Sequence, residues 1–448
     1  MNERNDGVPA GERLRWREVL SYCGGSVACN LSWNMVAAYL IIYYTDVAGI
    51  PIAAVGTLVL LARIFDALVD PVAGIIVDRT KTSMGKARPY LLWFAVPFSA
   101  LAVLTFMVPG SWSLDGKLFW AYATFGLLGI AYSFLYIPYG AMQPRMTALA
   151  GEQLRLSSWR AMGTSIASLV VYGLIQPSVQ YFGNSGSNPG RGYVLTALWF
   201  SVLNAMLFFN TVMSCRERAQ APSVSTSSQS LGAAFRALSH NKIWLIAMGV
   251  EVLIFLRLGA LVPAMTFMAK QVYQSPLMAS VLLPVMSLSI LTGGLIAPKV
   301  LAKLGKRRGI IYSLWFTIAC FMTIPFLGHN KVAAVIALYF AMLSNGIQAT
   351  AVFAMLAEAV NWEMARSGMR QEGLLSSSTS LAQKVGFALG SSLLAYVLAA
   401  VGYKPGVTDP HIGNVLLWLV ALVPIFVALS QMACVVWYDR EDRMARTA

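Results

Sequence analysis

The feature that most constrains the fold is a series of long apolar stretches that recur along the chain. A transmembrane helix needs about 20 mostly apolar residues, and we count about 12 such stretches between loops rich in Gly, Pro and charge. Their apolar character is continuous, whereas the strands of a membrane barrel alternate apolar and polar residues. With 57% hydrophobic and 12% charged residues, the sequence predicts an all-α polytopic membrane protein.

The net charge of +14 at pH 7 is distributed as membrane topology requires. Most basic residues precede the first apolar stretch, follow the last one, or fall in every second loop between them. Cytoplasmic loops are enriched in Lys and Arg, so both termini are predicted in the cytoplasm, with a bacterial inner membrane as the expected location. The lipid bilayer is therefore an expected partner, and nucleic acid is not.

A Ser-rich polar segment divides the chain near its middle. This segment is too hydrophilic to span a membrane and too poor in apolar residues to fold alone. The predicted organisation is a cytoplasmic N-terminal segment (1–17), a six-helix bundle (18–215), the cytoplasmic linker (216–241), a second six-helix bundle (242–437) and a cytoplasmic tail (438–448).

The two halves show weak internal similarity. In each half the second predicted helix is followed by a short basic loop that contains a glycine, Gly85 in the first half and Gly305 in the second. Matching cytoplasmic loops are typical of the parallel repeats of a major facilitator fold, in which substrate binds near the middle of the membrane between the repeats. We therefore predict two pseudo-symmetric halves of six helices each.

Two aspartates lie one helical turn apart inside the second apolar stretch. Carboxylates are costly at membrane depth and are seldom kept there without a partner and a function. Arg63, Asp66 and Asp70 fall on one helix face, so they can line a single cavity. This arrangement favours a cation site in a carrier, although Asp66 could instead neutralise Arg63.

Motifs of other functional classes are missing from the sequence. It contains no Walker loop, nucleophile elbow or His-Glu-x-x-His motif, which argues against an ATP-driven pump and a membrane hydrolase. The five cysteines have no paired spacing and are interpreted as packing residues. We expect no enzymatic activity and no cofactor other than a coupling ion.

Several motifs carry a resemblance to a known family. They are Tyr-Tyr-Thr-Asp at 43–46, Arg-Ile-Phe-Asp-Ala-Leu-Val-Asp-Pro at 63–71, Asp-Arg-Thr-Lys at 78–81, Gly-Lys-Ala-Arg-Pro at 85–89, Ile-Pro-Tyr at 137–139 and Ala-Glu-Ala-Val at 357–360. With these motifs the chain resembles the glycoside-pentoside-hexuronide:cation symporters, the melibiose-carrier group of the major facilitator superfamily. The resemblance covers nearly the whole chain and is stronger to the glucuronide carriers than to the melibiose carriers.

The resemblance implies roles for individual residues. Oxygen ligands suit sodium, and the same carboxylates can carry a proton. The implied cation site, for Na+ or H+, consists of Asp66, Asp70, Ser133 and Asn30. The predicted substrate-binding residues are Asn30, Tyr136, Tyr139, Arg160, Lys384 and, outside the family pattern, Arg257. Gating or structural roles are predicted for Arg63, Asp78, Arg79, Gly85, Lys86, Arg88 and Glu358.

The chain also departs from the melibiose-carrier pattern. Asn30 and Tyr136 occupy positions that are aspartates in melibiose carriers, so a melibiose-like galactoside is a poor match. Arg160 and Lys384 could contact the substrate, or pair with Glu358 or backbone carbonyls. For Arg257 an interhelical ion pair is the alternative to substrate contact.

The sequence thus predicts a monomeric secondary active symporter that imports a glycoside or uronide with Na+ or H+ by alternating access. A proton-coupled exporter of an amphipathic small molecule is one alternative, since the superfamily supports both directions. A non-transporting membrane sensor is another.

Overall fold

A computed structural model describes residues 14–80, 82–147, 149–218, 242–367 and 372–447. Within these residues lie 12 helices that are long and apolar enough to cross a membrane, which confirms the predicted number. The helices are α1 (Trp16–Asp46), α2 (Ile52–Arg79), α3 (Arg88–Thr105), α4 (Leu114–Met146), α5 (Ala150–Phe182), α6 (Pro189–Ser214), α7 (Lys242–Gln271), α8 (Ala279–Leu304), α9 (Lys306–Leu327), α10 (Lys331–Ser367), α11 (Glu372–Ala400) and α12 (Pro410–Thr447).

The described residues fall into two compact units. One is drawn from the described residues of 14–36, 68–171 and 178–218, and the other from those of 37–67, 172–177 and 242–447. The C-terminal part of α1 and the N-terminal part of α2 thus belong, by their contacts, with α7 to α12. The predicted bundle boundaries at residues 215 and 242 stay a prediction, because residues 219–241 of the linker lie outside the described residues.

In the first unit, small residues let α1 approach α4 and α5 closely. A Cβ atom added to Gly163 of α5 would lie 2.8 Å from the carbonyl oxygen of Cys23, and one added to Gly25 of α1 would lie 2.6 Å from the ring of Tyr139. Small residues commonly allow membrane helices to pack backbone to backbone. This packing places the polar residues of α1 beside those of α4 and α5.

In the second unit, α7 and α11 pack in the same way. A Cβ atom on Gly386 of α11 would lie 3.0 Å from the Cβ of Phe255 and 3.1 Å from the backbone nitrogen of Leu256. A Cβ atom on Gly390 would lie 2.7 Å from the backbone nitrogen of Ala260. The two helices therefore meet without space for water between them at these positions.

We expect Gly386→Ala to destabilise the protein by about 1–3 kcal/mol, because the added methyl group overpacks this interface. Gly249→Ala on α7 is the matched control, since a Cβ atom there meets nothing within 4 Å. Thermal midpoints of the two variants in detergent, measured from the monodisperse fraction after heating, test this. Equal midpoints for both variants would show that the α7–α11 interface is looser than described.

Within the second unit, an ion-pair cluster ties the end of α1 to α7. Lys270 at the end of α7 pairs with Asp46, and the Tyr403 hydroxyl donates a hydrogen bond of 2.7 Å to the same carboxylate. Burial and the neighbouring Asp46 raise the pKa of the Tyr403 hydroxyl, so it stays protonated and able to donate. The end of α1 is thereby fixed to α7 and to the connection between α11 and α12.

Candidate functional site

The predicted contact between α2 and α4 is present. The Ser133 hydroxyl donates a 2.7 Å hydrogen bond to Oδ1 of Asp70, and both side chains are buried, Asp70 being 8% exposed and Ser133 1%. The hydroxyl also lies 3.2 Å from the carbonyl oxygen of Gly129. A carboxylate beside a hydroxyl offers hard oxygen ligands of the kind that small cations prefer. The role of the pair in binding a cation stays a prediction.

Asp66, one turn earlier on α2, has a different partner. Its Oδ1 lies 2.9 Å from Nζ of Lys384 on α11, and the side chain of Asp66 is 3% exposed and that of Lys384 10%. The sequence allowed Asp66 to neutralise Arg63 and Lys384 to pair with Glu358. Asp66 and Lys384 pair with each other, and the Arg63 guanidinium lies over the Phe387 ring at 5.4 Å. An ammonium thus lies beside the carboxylate of Asp66, and a hydroxyl donates to that of Asp70.

Arg160 lies against an aromatic surface formed by α4. Its guanidinium carbon is 5.3 Å from the ring centre of Tyr136 and 5.1 Å from that of Tyr139. Such cation–π contacts hold a guanidinium without neutralising it. Tyr139 stacks on Tyr22 of α1 at 4.7 Å, and Tyr136 stacks on Tyr132 at 5.3 Å. Three predicted substrate-binding residues thus meet in one cluster, which we call the Arg160 cluster.

Asn30 of α1 joins the same cluster. Its amide donates hydrogen bonds to the Ser26 carbonyl at 2.8 Å and to the Thr164 hydroxyl at 3.4 Å. The Ser26 hydroxyl in turn donates to the carbonyl of Arg160 at 2.8 Å. Asn30 therefore lies beside α5, one turn from Arg160, where its amide can serve a substrate hydroxyl. A carboxylate at this position would place a negative charge beside Arg160, and the asparagine does not.

The chain matches a known protein family over nearly its whole length. The model of the family described as MFS/sugar transport protein matches residues 21–442. The chain belongs to this MFS/sugar transport family. It is a multi-pass membrane transporter with the predicted major facilitator fold.

Individual relatives agree with this assignment. The chain is 31% identical over 392 residues to the isoprimeverose transporter of Lactiplantibacillus pentosus, with 87% of this chain and 81% of that transporter covered. It is 30% identical over 447 residues to the glucuronide carrier protein homolog of Escherichia coli K12, with 96% and 94% covered. A solved D-xylose-proton symporter has a TM-score of 0.66 at 14% identity, covering 93% of this chain and 97% of that one, and shows the shared fold alone.

For this member of the MFS/sugar transport family, the partners of Arg257 differ from the predicted ion pair. Arg257 of α7 is fully buried, and its Nη2 donates hydrogen bonds to the side-chain oxygens of Asn345 and of Gln348, the latter at 2.7 Å. Its Nε and Nη1 make no hydrogen bond within the described residues. Sequence reasoning missed the amide partners, although two amides one turn apart in an apolar stretch are a usable signal.

The predicted gating loop of this transporter is anchored by a residue that the sequence analysis did not single out. The Glu217 carboxylate accepts hydrogen bonds from the backbone nitrogens of Lys86 and Arg88, at 3.1 and 3.0 Å, at the start of α3. A negative charge is favourable at a helix N-terminus. Gly85, with φ of +104°, brings the turn against that carboxylate.

The other predicted gating residues remain untested. Arg79 is exposed at the end of α2, and Arg63 lies beside Phe387 as described. The side chains of Asp78 and Glu358 lie outside the described residues, so the roles predicted for them stay predictions.

Proposed function

We propose that the protein is a symporter that imports a glycoside or uronide together with Na+ or H+ by alternating access. The observation that carries this proposal is the placement of Ser133 and Tyr136 one turn apart on α4. Ser133 holds the carboxylate of Asp70, and Tyr136 forms part of the Arg160 cluster. A movement of α4 therefore affects the cation site and the substrate site together.

This arrangement supplies a route for coupling. If cation and substrate each favour the same arrangement of α4, each strengthens binding of the other by the same factor. A coupling free energy of about 1–3 kcal/mol corresponds to roughly 5- to 150-fold in affinity. The substrate leaves chemically unchanged, so the protein acts as a carrier and not as an enzyme.

The charge of the Arg160 cluster favours an anionic substrate. Arg160 is held by the faces of Tyr136 and Tyr139, and Asn30 contributes a neutral amide. An arginine can engage a carboxylate through two parallel hydrogen bonds that are strengthened by the opposite charges, and a neutral sugar has no carboxylate. We infer that the substrate is a uronide and that the aromatic rings stack on the sugar.

The test is counterflow in proteoliposomes with methyl glucuronide and methyl glucoside as competitors. Wild-type protein should bind the glucuronide more tightly than the glucoside. Arg160→Gln should reduce the affinity for the glucuronide about 10- to 150-fold, which corresponds to the loss of a hydrogen bond to a charged group. The affinity for the glucoside should change much less. Arg191→Gln is the matched control, since Arg191 is exposed in the first turn of α6.

Two outcomes would contradict the proposal at different levels. An unchanged glucuronide preference in Arg160→Gln would exclude Arg160 as the carboxylate ligand and leave import of sugars intact. An absence of counterflow for the glucuronide, the glucoside and isoprimeverose in wild-type protein would overturn the transport proposal itself.

The distribution of basic residues among the loops indicates the location and orientation of the transporter. We propose that the transporter acts as a monomer in a bacterial inner membrane with both termini in the cytoplasm, since the basic loops follow the positive-inside pattern. Protease cleavage of tags at either terminus in intact spheroplasts and in inverted vesicles tests the orientation.

A further inference from the structure

Glu251 is a buried carboxyl group of α7 to which the proposed mechanism assigns no role. The residue is 3% exposed, and its Oε1 accepts a 2.8 Å hydrogen bond from the amide of Gln383 on α11. Its Oε2 makes no hydrogen bond within the described residues. Carboxyl groups at membrane depth are costly and mark functional sites, of which proton relays are one kind.

The surroundings of Glu251 are apolar and closely packed. Val250 and Ile254 of α7 form a buried hydrophobic cluster with Ala382 of α11. One turn further along α11, Gly386 lies against the backbone of α7. Water therefore has little access from this side, and the charge on Glu251 depends on the groups that face it.

The charged groups near Glu251 are engaged elsewhere. On α11, Lys384 pairs with Asp66. On α7 itself, Arg257 donates to two amides of α10. Among the described side chains, α8 carries lysines only at its exposed C-terminal end, α10 carries Lys331 only at its start, and α12 carries no Lys, Arg, Asp or Glu. No described cation therefore compensates the carboxylate form.

The position of Gln383 links Glu251 to the acidic pair of α2. Gln383 and Lys384 are consecutive on α11, so their side chains point about 100° apart around the helix axis. Gln383 contacts Glu251 and Lys384 contacts Asp66. A rotation or shift of α11 that releases one contact must displace the other.

We propose that Glu251 is a proton-binding site of the carrier, coupled through Gln383 and Lys384 of α11 to the carboxylate of Asp66. Oε2 takes up the proton while Oε1 accepts the bond from Gln383, and a movement of α11 that displaces this bond accompanies release of the proton. Only the role of Glu251 in ion coupling rests on the proposed function. The proton site itself is a property of the α7–α11 interface.

The first test does not require transport. Infrared difference spectra of the reconstituted protein between acidic and alkaline buffer report protonated carboxyl groups directly. Glu251→Gln should remove the band of a carboxyl group shielded from water, and the control Glu152→Gln should leave that band, because Glu152 forms a partly exposed ion pair with Arg155 at 3.2 Å. A spectrum unchanged in Glu251→Gln would overturn the proposal.

A second variant covers the case in which Glu251→Gln does not fold. Gln383→Leu keeps the carboxyl group and removes the N–H that stabilises its anionic form. The titration midpoint of the same infrared band should then move to higher pH. A midpoint equal to that of wild-type protein would contradict the contact on which the proposal depends.

The coupling itself is tested with a pH-sensitive dye inside proteoliposomes. Substrate-driven proton uptake should be lost in Glu251→Gln while counterflow, which needs no net ion movement, persists. Proton uptake equal to that of wild-type protein would remove Glu251 from coupling. If wild-type protein shows the infrared band but no counterflow, the proposed function fails and the proton site stands.

Discussion

Replacement of Asp70 by asparagine should abolish cation-driven accumulation and leave the protein folded. The amide oxygen of Asn can still accept the 2.7 Å hydrogen bond from Ser133, so the contact between α2 and α4 persists. The negative charge that makes the site attractive to a cation is lost. The ratio of internal to external substrate should fall to about one in energised vesicles, because without coupling the driving force disappears.

Counterflow separates this effect from misfolding. Asp70→Asn should still exchange substrate across the membrane, because exchange needs a binding site but no ion gradient. Asp115→Asn serves as the matched control, since Asp115 is exposed at the start of α4. If Asp70→Asn accumulates substrate fully and at the wild-type rate, the assignment of Asp70 to the cation site is wrong.

Removal of Lys384 alone should destabilise the protein strongly. Lys384→Ala leaves the carboxylate of Asp66 buried without the ammonium that now lies 2.9 Å away. Breaking a buried ion pair from one side costs about 3–5 kcal/mol. We expect a clear drop in the thermal midpoint in detergent and reduced yield from the membrane.

The double variant Asp66→Asn with Lys384→Gln should recover most of this loss. It removes both charges together and leaves two neutral side chains that can hydrogen-bond. Coupled accumulation should remain absent, because Asp66 no longer carries a charge. A double variant as unstable as Lys384→Ala would show that the pair is not the main source of the stability difference.

The helices and their order could be predicted because each one requires a long apolar stretch. Membrane helices satisfy their backbone hydrogen bonds internally, so apolar length alone identifies them. The contact of Asp70 with Ser133 came from a family resemblance, which already contains information on which helices meet. The Arg160 cluster followed from the same source.

The sequence did not reveal which side chains of distant helices pair with each other. Lys384 of α11 forms an ion pair with Asp66, although the two residues lie far apart along the chain. Arg257 suggested an acidic partner, yet two amides of α10 receive its hydrogen bonds. The pairing depends on which helix faces pack together. Small residues such as Gly386 determine that packing, and they do not recur in the sequence with a period that would reveal it.

The placement of Ser133 and Tyr136 on one turn of α4 has a consequence for engineering this carrier. Mutagenesis libraries that include this turn will alter sugar recognition and ion coupling at once. Most variants will lose coupling to the ion gradient together with the original substrate specificity. Asn30 on α1 and Thr164 on α5 border the Arg160 cluster from other helices. Asn30 is also a predicted residue of the cation site and Thr164 is not, so randomising Thr164 is the way to change substrate selection while ion coupling is kept.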